Sequence, residues 1–182
     1  LDEIAAVKER IKNEHPGLAA TGPAATDVSL ADEFHIKLGS GGIREIEFIV
    51  NAQQLIWGGR QTELRTTNTI EALDLCAQLG HLAPDDAPKL KDAYVWLRRL
   101  ENSVQMIADR QVHTVPDSPD ERALIVNMMG LKNWRSLTDQ LAAHRHFVAE
   151  KFAAFLAEDN GHSTSVRRPE LPQVSAQTEA IV

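Results

Sequence analysis

Lys37, Gly39, Ser40, Gly41, Gly42, Arg44 and Glu47 fall within eleven residues, and their types and order suit the holding of an anion. The stretch reads Lys37-Leu-Gly-Ser-Gly-Gly-Ile-Arg-Glu-Ile-Glu-Phe48. Phe34 to Leu38 has a β-like, extended composition; the glycines turn the chain, and a helix starts behind them. Backbone N–H groups at a helix start attract phosphate. Lys37 would add a point charge, and the Arg44 guanidinium can fork onto phosphate or carboxylate. The same glycines equally serve a tight turn that needs positive φ or close packing. The pattern is neither Gly-x-x-x-x-Gly-Lys-Ser/Thr nor Gly-x-Gly-x-x-Gly, so spacing does not choose between the two readings.

Arg44 and Glu47 stand three apart on one helical face, where a solvated ion pair contributes only about 0.2–0.5 kcal/mol. Glu45 and Glu101 are placed differently. Each falls inside the apolar arc of its helix: Glu45 between Ala52 and Ile56, Glu101 among Leu90, Ala108 and Tyr94. A carboxylate there must pair, accept hydrogen bonds or take up a proton. Arg44, Arg98 and Arg99 are the candidate partners. One reading is a buried salt bridge that fixes helix register; the other is support for a neighbouring active site.

Metal chemistry has little to stand on. His144 and His146 lie two apart in a helical pattern and so project to roughly opposite faces, a poor spacing for one ion. Asp109, Gln111 and His113 form a polar turn. No His-Glu-x-x-His, Cys-x-x-Cys or Gly-x-Ser-x-Gly occurs, and Asp85-Asp86 opens a helix rather than ending a strand. Neither a catalytic residue nor a metal site is expected within this chain.

The elements that must position these residues are helical. Ile4, Val7 and Ile11 mark a helix over residues 2–14, stopped at Pro16-Gly17. Residues 16–31, rich in Ala, Gly, Thr and Pro, read as a mobile loop. A helix from Ile43 to Trp57 ends at Gly58-Gly59 and is apolar around most of its circumference, with a polar stripe of Arg44, Glu47, Asn51 and Gln54. It should be buried on most faces. Asn68 to Leu79 follows, with Thr66 or Thr67 as N-cap and Gly80 as stop. Pro84-Asp85-Asp86 opens a helix reaching toward Arg110. Ser118-Pro119-Asp120-Glu121 carries a capping-box pattern. The last helix runs from about Trp134 to Ala157, on a spine of Leu137, Leu141, His144, Val148, Phe152 and Phe155. The architecture is an all-α bundle of five or six helices with a short extended segment before the glycine loop. Residues 1–32 form an N-terminal helix and loop, 33–158 the bundle, and 159–182 a flexible tail or linker.

A net charge of −7 argues against a general nucleic-acid binder, which would show a basic face. No apolar run approaches the ~18 residues of a membrane span, and no signal peptide is visible. The single cysteine, Cys76, sits in an apolar helical pattern and reads as a small buried hydrophobe in a reducing cytoplasm. The chain opens at Leu1, already in a helical pattern, as a piece of a longer protein would.

The segment Lys37-Leu-Gly-x-Gly-Gly-Ile-Arg-Glu-Ile-Glu-Phe-Ile-Val50 resembles the signature of the glutamine-synthetase adenylyltransferase/deadenylylase family. Matching blocks follow in order: Gln54-Leu55 with Gly58-Gly59-Arg60, then Glu63-Leu64, Asn68-Thr69, Glu71-Ala72-Leu73 and Gly80-His81-Leu82. Leu97-Arg-Arg-Leu-Glu101 and Asp109-x-Gln-x-His-Thr-x-Pro116 complete the series, which spans residues 33–156. The resemblance is to the helical domain after the N-terminal of two nucleotidyltransferase copies. That copy is associated with deadenylylation, in which phosphate removes AMP from a tyrosine of glutamine synthetase and releases ADP; the other copy attaches AMP from ATP. The resemblance implies that Mg²⁺ and ATP or ADP bind mainly in the upstream nucleotidyltransferase domain, so this chain alone should be inactive and hold no tight cofactor. Glutamine synthetase and the PII signalling protein are the implied partners, with neither nucleic acid nor membrane. Lys37 to Glu47 would face the active-site cleft.

Asn51 departs from the glutamine usual in the family, Asn102 and Ser103 replace a common His-Arg, and the 16–31 loop is long. A docking module for glutamine synthetase or PII without nucleotide contact is a competing reading. A helical segment of a PII uridylyltransferase is another, against which the Gly-Gly-Ile-Arg-Glu-Ile-Glu-Phe wording stands.

Overall fold

A computed structural model describes residues 35–108 and 115–158. The helix expected over 2–14, the 16–31 loop, Phe34, the Asp109–Gln111–His113 turn and the 159–182 tail lie outside the described residues. Five α-helices make up the bundle among the described residues: α1 Ile43–Trp57, α2 Thr69–Gln78, α3 Asp86–Ala108, α4 Pro119–Met128 and α5 Trp134–Glu158. A 3-10 turn, Thr62–Leu64, links α1 to α2. The all-α expectation holds, and the α1 bounds match those read from its glycine borders.

α1 packs against α2, α3 and α5, whereas α4 lies on α3 and α5. The 3.6-residue period explains which side chains meet. Ile43, Ile46, Ile49 and Val50 of α1, Leu90, Ala93, Leu97, Leu100 and Val104 of α3, and Leu137, Leu141 and Val148 of α5 are all buried. α2 contributes Ala72, Leu73 and Cys76, and α4 contributes Ile125 and Val126. Burying each large aliphatic side chain is worth about 1.5–3 kcal/mol before chain entropy is set against it. Burial also raises the Cys76 thiol above its ordinary range, in keeping with a packing role.

Three local expectations are corrected. His35 makes an isolated bridge and Ile36–Leu38 form a turn rather than a strand. The Leu38 N–H donates to His35 Nδ1 at 3.1 Å and the Gly39 N–H to the His35 carbonyl at 2.7 Å, so the segment is folded back on itself. At α2 the N-cap is Asn68, whose Oδ1 accepts from the N–H groups of Ile70 (3.0 Å) and Glu71 (3.3 Å). Thr66 instead braces from outside, donating to Glu71 Oε2 at 2.6 Å. Ser118 occupies the N-cap of α4, but its side chain makes no capping bond.

Candidate functional site

The glycine turn is anchored from below by Ile36, which is fully buried in the core. That anchor brings the turn's carbonyls under the first turn of α1. The Gly42 N–H donates to the Gly39 carbonyl (2.8 Å), Ile43 to Ile36 (3.3 Å) and Arg44 to Lys37 (3.1 Å). A helix start ordinarily leaves such donors unsatisfied; here the loop satisfies them itself. The backbone groups a phosphate would use are therefore occupied, and the glycines serve a tight turn. Gly41 shows why glycine is required. Its φ is +74°, and a Cβ there would sit 2.2 Å from the Arg145 carbonyl oxygen of α5.

Two side chains close this contact. Glu45, 2 % exposed, turns back from the first turn of α1 and accepts the Gly41 N–H at 3.0 Å. Arg145 donates from Nε to the Ser40 carbonyl at 3.0 Å and lies close enough to Glu45 for the two charges to interact. Burial pushes the Glu45 carboxyl up to about 7, against the opposing pull of the Gly41 N–H and of Arg145. Burial likewise lowers Arg145 from its ordinary value, with Glu45 pulling the other way.

One turn further along α1, Glu47 meets α3. Arg98 Nη2 reaches Glu47 Oε1 at 2.6 Å and Arg98 Nη1 reaches Glu101 Oε2 at 2.9 Å. Arg98 Nε donates to the Tyr94 hydroxyl at 3.3 Å, and that hydroxyl donates to Glu47 at 3.4 Å. Burial works against the Arg98 charge, but the bonds to Tyr94 and Glu101 and the charge of Glu47 outweigh it and hold its pKa above the ordinary arginine value. The network borders a groove of about 450 Å³ between α2, α3 and α4.

Glu45 and Glu101 are thus buried as their wheels predict, and Arg98 is the partner of Glu101. The Arg44–Glu47 pair is not formed, because Glu47 faces α3. Among the described residues Arg99 binds no carboxylate; its Nη2 donates to the Met128 carbonyl at 2.8 Å and so closes the end of α4. Sequence reasoning missed Arg145 and Tyr94. The Arg145–Ser40 contact spans 105 residues, and no local spacing carries a signal for it.

Lys37 is half-buried, while Arg44 is exposed and has no ion pair among the described residues. α1 is less covered than expected. Leu55 is 77 % exposed and shares the outward stripe with Arg44 and Asn51, since 44, 51 and 55 align at helical spacing. Gln53 and Gln54 point elsewhere. Gln54 Nε2 donates to the carbonyls of Leu64 (2.7 Å) and Thr66 (2.8 Å), and Gln53 Nε2 to that of His81 (3.1 Å). Trp57 stacks on the His81 ring at 4.6 Å, and Gln61 Oε1 lies 2.5 Å from His81 Nε2. The Gln54 and Gly80-His81 motifs therefore hold the corner between α1 and α2. Among the described residues no group of three His, Cys, Asp or Glu could hold a metal ion. No helix among them is long and apolar enough to cross a membrane. The site offers fixed charge and shape.

The sequence model of the family described as GlnD PII-uridylyltransferase matches residues 6–156. A protein of Stenotrophomonas maltophilia (strain R551-3) named bifunctional glutamine synthetase adenylyltransferase/adenylyl-removing enzyme is 42% identical over 149 residues, which cover 81% of this chain and 16% of that protein. Proteins of the same name from Xanthomonas campestris pv. campestris (strain B100) and Caulobacter vibrioides are 43% identical over 139 residues and 52% identical over 100 residues. Those alignments cover 76% and 55% of this chain, and 14% and 10% of the relatives. The chain therefore spans less than a fifth of the length of these relatives.

Proposed function

Because the chain belongs to the family described as GlnD PII-uridylyltransferase, we propose that it is the helical domain of a bifunctional glutamine synthetase adenylyltransferase/adenylyl-removing enzyme. The names of the relatives favour this over a PII uridylyltransferase. In this reading the domain completes the site of a nucleotidyltransferase domain that works in the cytoplasm on adenylylated glutamine synthetase, under control of PII. A phosphate oxygen attacks the adenylyl phosphorus, the bond from phosphorus to the tyrosine oxygen breaks, and ADP and tyrosine leave. In this reading Mg²⁺ and nucleotide bind mainly in the nucleotidyltransferase domain.

The observation that carries the reading is Arg44: an exposed guanidinium, without an ion pair among the described residues, on a helix start that is bonded rigidly to its own loop. With the backbone donors occupied, Arg44 and Lys37 are the groups available to meet phosphate oxygens. The test is phosphate-dependent release of ADP from adenylylated glutamine synthetase by the full-length enzyme and its Arg44→Ala variant. A loss of about tenfold to a thousandfold in kcat supports the reading; undiminished turnover refutes it. The 182-residue chain alone should show no turnover.

Exposed Leu55, beside Asn51 and Arg44, favours a second reading, a docking face for glutamine synthetase or PII. Lost binding of either protein in Leu55→Ser, with normal turnover on a small adenylyl ester, would select it.

A further inference from the structure

Between the glycine turn and α5, three contacts converge on two residues of the turn. Gly41 packs so closely on the α5 backbone that a Cβ would lie 2.2 Å from the Arg145 carbonyl oxygen. Its N–H is held from the other side by Glu45 at 3.0 Å. The neighbouring Ser40 carbonyl is held by Arg145 Nε at 3.0 Å. Glu45 is buried and Arg145 half-buried, and hydrogen bonds withdrawn from water are stronger and less tolerant of misalignment.

These bonds do not define a ligand site, because they occupy the Gly41 N–H and the Ser40 carbonyl. They define the loop's position. The Lys37 carbonyl receives the Arg44 N–H, so both basic residues are tied to the same turn. A shift of the turn along α5 would carry Lys37 and Arg44 with it. We infer that Glu45 and Arg145 are positioning residues, which lock the glycine turn onto α5 and thereby set where Lys37 and Arg44 are presented. Neither touches the reacting atoms. The activity half of this inference rests on the function proposed above, whereas the structural half does not.

Glu45→Gln keeps an oxygen that can accept the Gly41 N–H, while Glu45→Ala removes it. Arg145→Lys keeps the charge, while Arg145→Met removes both charge and donor. Amide hydrogen exchange in the 182-residue chain reads the lock at Gly41, with the Leu97 and Leu100 amides of α3 as internal reference. Glu45→Ala should lower protection at Gly41 by about tenfold relative to the reference, the expected effect of losing one buried hydrogen bond. Glu45→Gln should restore most of it. Arg145→Met should loosen the same turn and serves alone if Glu45→Ala does not fold. In the full-length enzyme, kcat for ADP release should fall in Glu45→Ala and Arg145→Met, and recover in Glu45→Gln and Arg145→Lys. Unchanged protection at Gly41, or a loss shared equally by the α3 amides, overturns the lock. Normal turnover in Glu45→Ala and Arg145→Met, with turnover lost in Arg44→Ala, overturns the positioning role alone. Normal turnover in all three overturns the proposed function as well.

Discussion

Glu47 and Arg98, 51 residues apart in sequence, are joined across the α1–α3 interface at 2.6 Å, and the same guanidinium holds the nearly buried Glu101. One cation thus serves two carboxylates. Removing it takes a cation away from the nearly buried Glu101 and from the part-buried Glu47. Loss of one partner of a buried pair costs about 3–5 kcal/mol; since the Arg98 side chain is 36% exposed, about 2 kcal/mol is expected for Arg98→Ala. Urea unfolding measures this, and Arg98→Ala combined with Glu101→Gln should recover part of the loss. No recovery would mean that Arg98 stabilises through its packing alone.

Glu45 should make stability fall as pH rises. Its carboxyl titrates near 7 when folded, against an ordinary 4.5, so between these values the folded chain binds more protons than the unfolded one. The contribution is complete below about 4.5 and is lost as pH rises through about 7. Its full size is about 3 kcal/mol. Urea midpoints measured from pH 5 to 8 should show this fall in the wild type and a flatter curve in Glu45→Gln. Parallel curves for the two proteins would refute it.

Gly41 and Gly80 form a matched pair for substitution by alanine. Both have positive φ, +74° and +78°, so each should lose about 1–2 kcal/mol from the left-handed backbone alone. Nothing lies within 4 Å of a Cβ at Gly80, whereas at Gly41 it collides with the α5 backbone. Gly80→Ala should therefore cost only that amount, and Gly41→Ala about 3 kcal/mol or more. Equal losses in thermal unfolding would show that the turn does not sit tightly on α5.

Arg44→Ala and Leu55→Ser should leave the stability of the chain within about 0.5 kcal/mol, because both side chains are exposed. Any loss of function they cause then reports on contacts outside the chain. A drop in unfolding midpoint larger than this would assign these residues to the fold instead.

Much of the fold is legible in the sequence wherever the information is local. The bounds of α1 follow from the glycines on either side, and the burial of Glu45 and Glu101 follows from their place on an apolar wheel. Local reasoning fails where a distant partner decides. Arg44 and Glu47 are spaced to pair, but α3 offers Glu47 an arginine and a tyrosine instead. The β-like composition before the glycines gives way to a turn because Ile36 is drawn into the core and His35 bonds its own neighbours. Thr66 and Thr67 are good N-caps by residue type, yet Asn68 is the residue whose oxygen reaches the two free N–H groups. Of the candidate site, the residue types were readable and the loss of the backbone donors to internal bonds was not, since that depends on how the turn closes.

The bond between Ser40 and Arg145 also dictates when this domain can finish folding during synthesis. A ribosome that has made the glycine turn must add 105 more residues before its anchor exists. Until α5 emerges, α1 lacks one of the helices it packs against among the described residues, and that part of its apolar side stays open to water. Closure of the bundle is thus a late, long-range event on the nascent chain, of the kind that loop-closure entropy makes slow. Ribosome-bound chains released before α5 is made should be digested readily by protease within α1, and chains that expose the whole of α5 should resist.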